Sequence, residues 1–149
     1  MRQLPGRSFA AQLRHFKRER VEKLPAEIVA RTVREFAQSL VTDWTPYGQP
    51  EFWKAPPPAD YRPGNLQSSW FLSIGAPTAE TTTATDHREA HNLGLLQDFR
   101  AGPSVYLCNS APHASAIEHA HSWQAPNGLM VNAHEFEGIA YTVARGLSQ

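Results

Sequence analysis

The chain has 149 residues, 41% of them hydrophobic and 19% charged, and its 14 Lys and Arg are balanced by 14 Asp and Glu. This composition excludes a disordered chain, and no apolar run approaches the ~20 residues that a membrane-spanning helix needs. A lone cysteine, Cys108, excludes an internal disulfide and a Cys-based zinc cage.

The length fits a single domain over 1–149. The first residues interleave charged and apolar side chains too closely to form the core of a secretory signal, so a cytoplasmic site of assembly is expected. The balanced charge is unevenly placed. Arg2, Arg7, Arg14, Lys17, Arg18, Arg20 and Lys23 make up half of the basic residues, against only Glu19 and Glu22 in that stretch. Such a segment is either a solvated helix face or a surface that meets nucleic acid or an acidic partner.

Taken in order, the first pattern is helical: Ser8 is a candidate N-cap, and Phe9, Leu13 and Phe16 recur at spacings of four and three. Pro25 lacks a backbone donor and restricts the residue before it, so it either kinks one long helix or begins a second. Ile28, Val29, Val33, Phe36, Ala37 and Leu40 then form an apolar stripe reaching about Val41. Residues 43–65 hold six prolines, two Trp, two Tyr and a Phe, which no regular helix or central strand tolerates. They read as an extended arm, packed either on a neighbouring subunit through its aromatics or back on its own domain.

Gly64 to Ser69 fits one helical turn, and Trp70 to Gly75 a strand with Trp70, Leu72 and Ile74 on one face. Thr78 to Thr85 lacks an apolar face and reads as a loop. Asp86 is a candidate N-cap for a helix over 87–100, closed by Gly102 and Pro103 before a second strand, Ser104 to Cys108. Pro126, Asn127 and Gly128 signal a turn. Asn132 with Glu135 fits a capping box for a last helix carrying Phe136, Ile139, Ala140 and Val143, with Gly146 as its stop. The order of elements predicts an α+β domain: a long N-terminal helix, a small and mostly antiparallel sheet, one middle helix and a C-terminal helix.

The case for an enzyme rests on His113, Glu118, His119 and His121, because two His two apart on an extended segment point the same way and could share a metal with Glu118. No H-E-x-x-H helix, paired carboxylates or nucleophile elbow accompanies them. Cys108, in an apolar strand beside Tyr106, reads as an inert core residue. A small DNA-binding protein using the basic helix is a further alternative.

The motifs themselves resemble those of the neck and tail-completion proteins of long-tailed bacteriophages. They are Tyr47, Gly48, Pro50 and Trp53; Tyr61, Pro63, Gly64, Leu66, Ser69 and Trp70; Val105 to Asn109; and Ile117, Glu118, Ser122, Gln124, Ala125, Pro126, Gly128, Met130 and Val131. The resemblance implies a structural virion protein without enzymatic activity, cofactor or small-molecule substrate, assembled in the host cytoplasm. Its implied partners are copies of itself in a ring, commonly sixfold, with adjacent connector, tail-tube or tail-terminator proteins, and duplex DNA passing non-specifically through the channel. No membrane is implied. In that reading Tyr47, Phe52, Trp53, Tyr61, His119, His121, Trp123, Gln124, Pro126 and Met130 are candidate subunit contacts, and Arg14, Lys17, Arg18 and Arg20 candidate DNA-channel residues. One departure is local: where the pattern is aromatic, Gly, aromatic, Ser, this chain has His119, Ala120, His121 and Ser122.

Overall fold

A computed structural model of the chain describes residues 8–42, 54, 56–57, 59–119 and 133–148. It has the expected α+β architecture. Helix α1 (Phe9–Phe16) opens on Ser8, whose Oγ accepts a hydrogen bond from the Ala11 backbone N–H at 3.3 Å. It continues through a π-helical turn (Lys17–Lys23) into α2 (Leu24–Thr42). Pro25 therefore does not break the helix. A proline deprives the carbonyl one turn back of its donor, and the wider turn just before it takes up the change: the Leu24 N–H reaches back to Glu19 O. A π turn holds more residues than an α turn, so it also shifts the phase of α1's apolar stripe relative to that of α2.

The remaining elements are α3 (Asn65–Ser68), β1 (Trp70–Ile74), a 3-10 turn (Leu93–Leu96), β2 (Val105–Asn109), α4 (Ala114–Glu118) and α5 (Ala133–Leu147). Strands β1 and β2 pair antiparallel, with Leu72 opposite Leu107 and Ile74 opposite Val105. Those four side chains share one face of the two-stranded sheet. Val33 from α2 and Leu96 from the 3-10 turn meet Leu72 at the centre of the core, and Val29, Ala30, Ile74, Leu93, Val105 and Leu107 pack around them. Along the rest of α2, Ala37, Leu40 and Val41 are buried, and α2 packs against α5, where Phe36 and Phe136 meet edge-on with ring centroids 5.3 Å apart. Helix α5 runs one residue past Gly146.

The helix expected over 87–100 contracts to the single turn Leu93–Leu96. The residues before that turn are committed elsewhere. His91 N–H donates to Trp70 O at 2.8 Å and Leu72 N–H donates to His91 O at 3.0 Å, so His91 forms a short parallel bridge along β1. Asn92 then takes a left-handed φ of 65°, which no helix interior accommodates. Strand pairing has overridden the local helical pattern.

Residues 114–118 form one turn of helix, α4, with His119 as its C-cap, and His121, expected to share an extended segment with His119, lies outside the described residues. Of the proposed cap pair, Asn132 lies outside what the structure describes, as does most of the arm at 43–65, and Glu135 falls in the first turn of α5. Among the described residues no helix is long and apolar enough to cross a membrane.

Candidate functional site

Two surface features stand apart from the core. The first is α1 itself. No residue of this amphipathic helix is buried, and its apolar stripe is open, with Phe9 76%, Leu13 53% and Phe16 46% exposed. Its packing is chiefly with the π turn that continues it. Three large apolar side chains on about two turns of exposed helix form the kind of contiguous patch that marks an interaction surface.

The second feature is a groove of about 730 Å³ between the N-terminal helix and the segment that follows the 3-10 turn. Val21, Ala26 and Ala30 line it from the helix, and Leu96, Phe99 and Ala101 from the opposite side. Its rim is charged, with Arg18, Glu22, Lys23, Glu27, Asp98 and Arg100. The stripe residues Phe9, Leu13 and Phe16 are absent from this lining. Ala11, Arg14, His15 and Arg18 line a shallower depression on another part of the helix surface.

The four candidate DNA-channel residues fall on α1 and the π turn and divide into two pairs. Lys17 lies 3.7 Å from Glu22, and Arg18 lies 3.0 Å from Glu19. Glu19 also takes a 3.0 Å contact from Lys23, and the hydrogen bonds from Lys23 and then Arg18 hold its carboxyl below the usual range. Arg14 and Arg20 join no ion pair among the described residues, so their charges are the ones left to face a partner.

Of the candidate subunit contacts, Tyr61 and His119 are described. Tyr61 is half-buried and packs edge-on against the ring of His113 in its own chain, with centroids 5.0 Å apart. His119 is exposed at the end of α4, and its Nδ1 donates to Ser115 O at 2.6 Å. A carbonyl only accepts, so this bond fixes the proton on Nδ1 and turns Nε2 away from the helix end. Tyr47, Phe52, Trp53, His121, Trp123, Gln124, Pro126 and Met130 lie outside the described residues. Glu118 is half-buried in the last turn of α4. Among the described residues no three His, Cys, Asp or Glu side chains are grouped to hold a metal ion.

A third constellation went unseen in the sequence. His87 and His91 stack 4.1 Å apart, and His91 stacks in turn on Phe71 at 4.3 Å, covering the face of β1 opposite the core. Ser68 ties this stack to α3: its Oγ accepts from His87 N–H at 3.0 Å, and its carbonyl accepts from His91 Nε2 at 2.8 Å. Beside it, buried Asn65 donates from Nδ2 to Thr82 O and Ala84 O at 2.8 and 2.9 Å, pinning the Thr-rich loop to the domain. With His91 Nε2 bonded to a backbone carbonyl and the His91 ring stacked on both His87 and Phe71, this is a structural brace. The one signal available in the sequence was Phe71 itself, an apolar residue on the strand face that alternation assigns to the outside.

No family model, curated protein or solved structure matches this chain.

Proposed function

We propose that this chain is a structural subunit of the neck or tail of a long-tailed bacteriophage, a tail-completion or head-tail connector protein that assembles into a ring around the DNA channel. The observation that carries the reading is α1, an amphipathic helix with none of its residues buried and a contiguous apolar stripe on its surface. Leaving Phe9, Leu13 and Phe16 in water is costly for an isolated chain, and covering them in an assembly recovers that cost. The ordered motif series from Tyr47 to Val131 supports the same reading, and so does the placement of Arg14, whose uncommitted charge suits phosphate attraction without base reading. A head-to-tail contact between two different patches closes a ring of one kind of subunit.

Native mass spectrometry of the untagged protein tests the reading, together with imaging of particles in which the protein carries a small label. A closed oligomer, six copies on this reading, and a label at the head-tail joint are the expected results. A monomer that never associates with tails or connectors overturns it.

A further inference from the structure

We propose that α1 of one subunit seats its Phe9, Leu13 and Phe16 stripe in the groove between the N-terminal helix and residues 96–101 of a second copy. This names the two halves of the ring contact and rests on the reading of the chain as a ring subunit. Three observations converge on it.

The stripe and the groove have matching chemistry. One is a short apolar ridge on a helix, and the other an open apolar trough floored by Val21, Ala26, Ala30, Leu96 and Phe99. An amphipathic helix laid into such a trough with residues at spacings of four and three as anchors is a recurrent mode of recognition.

The charges that remain uncommitted are complementary. On the stripe's side of the contact Arg20, four residues beyond Phe16, joins no ion pair among the described residues. On the groove's rim the charges outside those pairs are Glu27, Asp98 and Arg100, a net negative set. The remaining rim charges, Arg18, Glu22 and Lys23, are already satisfied within their own helix. Complementarity of this kind fixes register and discourages other partners.

The occupant cannot be the chain's own α1. Helix α1, the π turn and α2 are one continuous helical rod, and the groove is built on the middle of that rod. Folding α1 back into the groove would require breaking the helix that forms the groove's wall. A second copy supplies the same stripe without that cost. Because stripe and groove are different patches, the contact is heterologous, and repetition by a fixed rotation closes a ring.

The test uses the full chain and two variants built at exposed positions. Phe9→Glu with Leu13→Glu disables the stripe, and Val21→Glu with Ala101→Glu disables the groove. Circular dichroism confirms that each retains the wild-type helix content; if the groove variant does not, Glu27→Arg with Asp98→Arg, both on exposed residues, replaces it. By sedimentation velocity each variant alone is expected to associate roughly thirtyfold more weakly than wild type, as loss of interface anchors predicts. The equimolar mixture is expected to form a one-to-one heterodimer, because one variant keeps its stripe and the other its groove. If the variants alone stay as oligomeric as wild type, or the mixture stays monomeric while wild type associates, the interface lies elsewhere and the inference fails while the ring reading stands. A wild-type chain that is monomeric throughout removes both.

Discussion

Tyr61 presents its ring edge-on to His113, at 86° and with centroids 5.0 Å apart, and His113 is almost fully buried beneath it. Burial pushes the His113 pKa below its ordinary value near 6.5, and the nearby Asp60 carboxylate only partly opposes that shift. The imidazole is therefore held neutral in the fold. When the pH falls through 6.5 the unfolded chain takes up a proton there that the folded chain refuses, so this contribution to stability is complete above 6.5 and is lost as the pH drops toward the depressed folded value. Urea midpoints measured at pH 7.5 and 5.5 should fall with acidification, and less steeply in His113→Asn. Equal slopes for the two proteins would assign the acid sensitivity to the other histidines.

Leu72 is fully buried between Val33 and Leu96, whereas Leu95, one residue from that core, is 49% exposed. Truncating Leu72 to Ala removes apolar burial and leaves a cavity where α2, the strand pair and the 3-10 turn meet. The expected cost is about 2–5 kcal/mol, against roughly 0.5 kcal/mol or less for Leu95→Ala. Chemical denaturation of both variants measures the contrast directly, and similar losses would mean the centre of the core is misplaced.

These packing relations show which parts of the fold a sequence can carry. The α2 stripe and the strand faces were legible because period and alternation are local properties: Val33 and Leu72 read as core residues on those grounds alone. The segment 87–100 was misread because its hydrophobic spacing suits a helix while its backbone is claimed by β1 through His91, a contact with no local trace. The candidate site divides the same way. The apolar spacing of Phe9, Leu13 and Phe16 is visible in the chain, but its exposure is not, since that depends on what fails to pack against it. The groove was invisible, because Val21 and Phe99 come together only once residues 96–101 lie beside the N-terminal helix.

Gly64 and Gly75 both have left-handed backbones, with φ of 84° and 88°, yet their surroundings differ. Nothing lies near a side chain added at Gly75, while a Cβ at Gly64 would collide with the Thr85 carbonyl oxygen. Gly75→Ala is thus expected to cost about 1 kcal/mol, from backbone conformation alone. Gly64→Ala should cost clearly more, because the Thr-rich loop must shift and strain the Asn65 bonds to Thr82 and Ala84. Thermal melts of the two variants, with proteolysis near residues 82–85 as a local readout, separate the cases. Equal destabilisation with no change in cleavage would show that the close approach is inconsequential.

The division of the basic residues into committed and uncommitted charges gives the proposed DNA contact a specific signature. Each phosphate neutralised by a cation releases condensed counterions, so the logarithm of affinity for duplex DNA falls linearly with the logarithm of salt concentration, by about 0.9 per contact. Arg14 and Arg20 carry charges that no described carboxylate shares, whereas Arg18 sits 3.0 Å from Glu19 and Lys17 3.7 Å from Glu22. In the assembled ring, Arg14→Gln should therefore flatten the salt dependence by nearly one contact, and Arg20→Gln by less, because the groove rim of the neighbouring subunit takes up that charge. Arg18→Gln should flatten it less, because its charge is already partly neutralised within the helix. Affinity should fall alike for unrelated sequences, since nothing in the contact reads base edges. Fluorescence anisotropy on two unrelated duplexes across a salt series measures all of this, and an Arg18 effect equal to that of Arg14 would show that the ion pair with Glu19 opens when DNA is present.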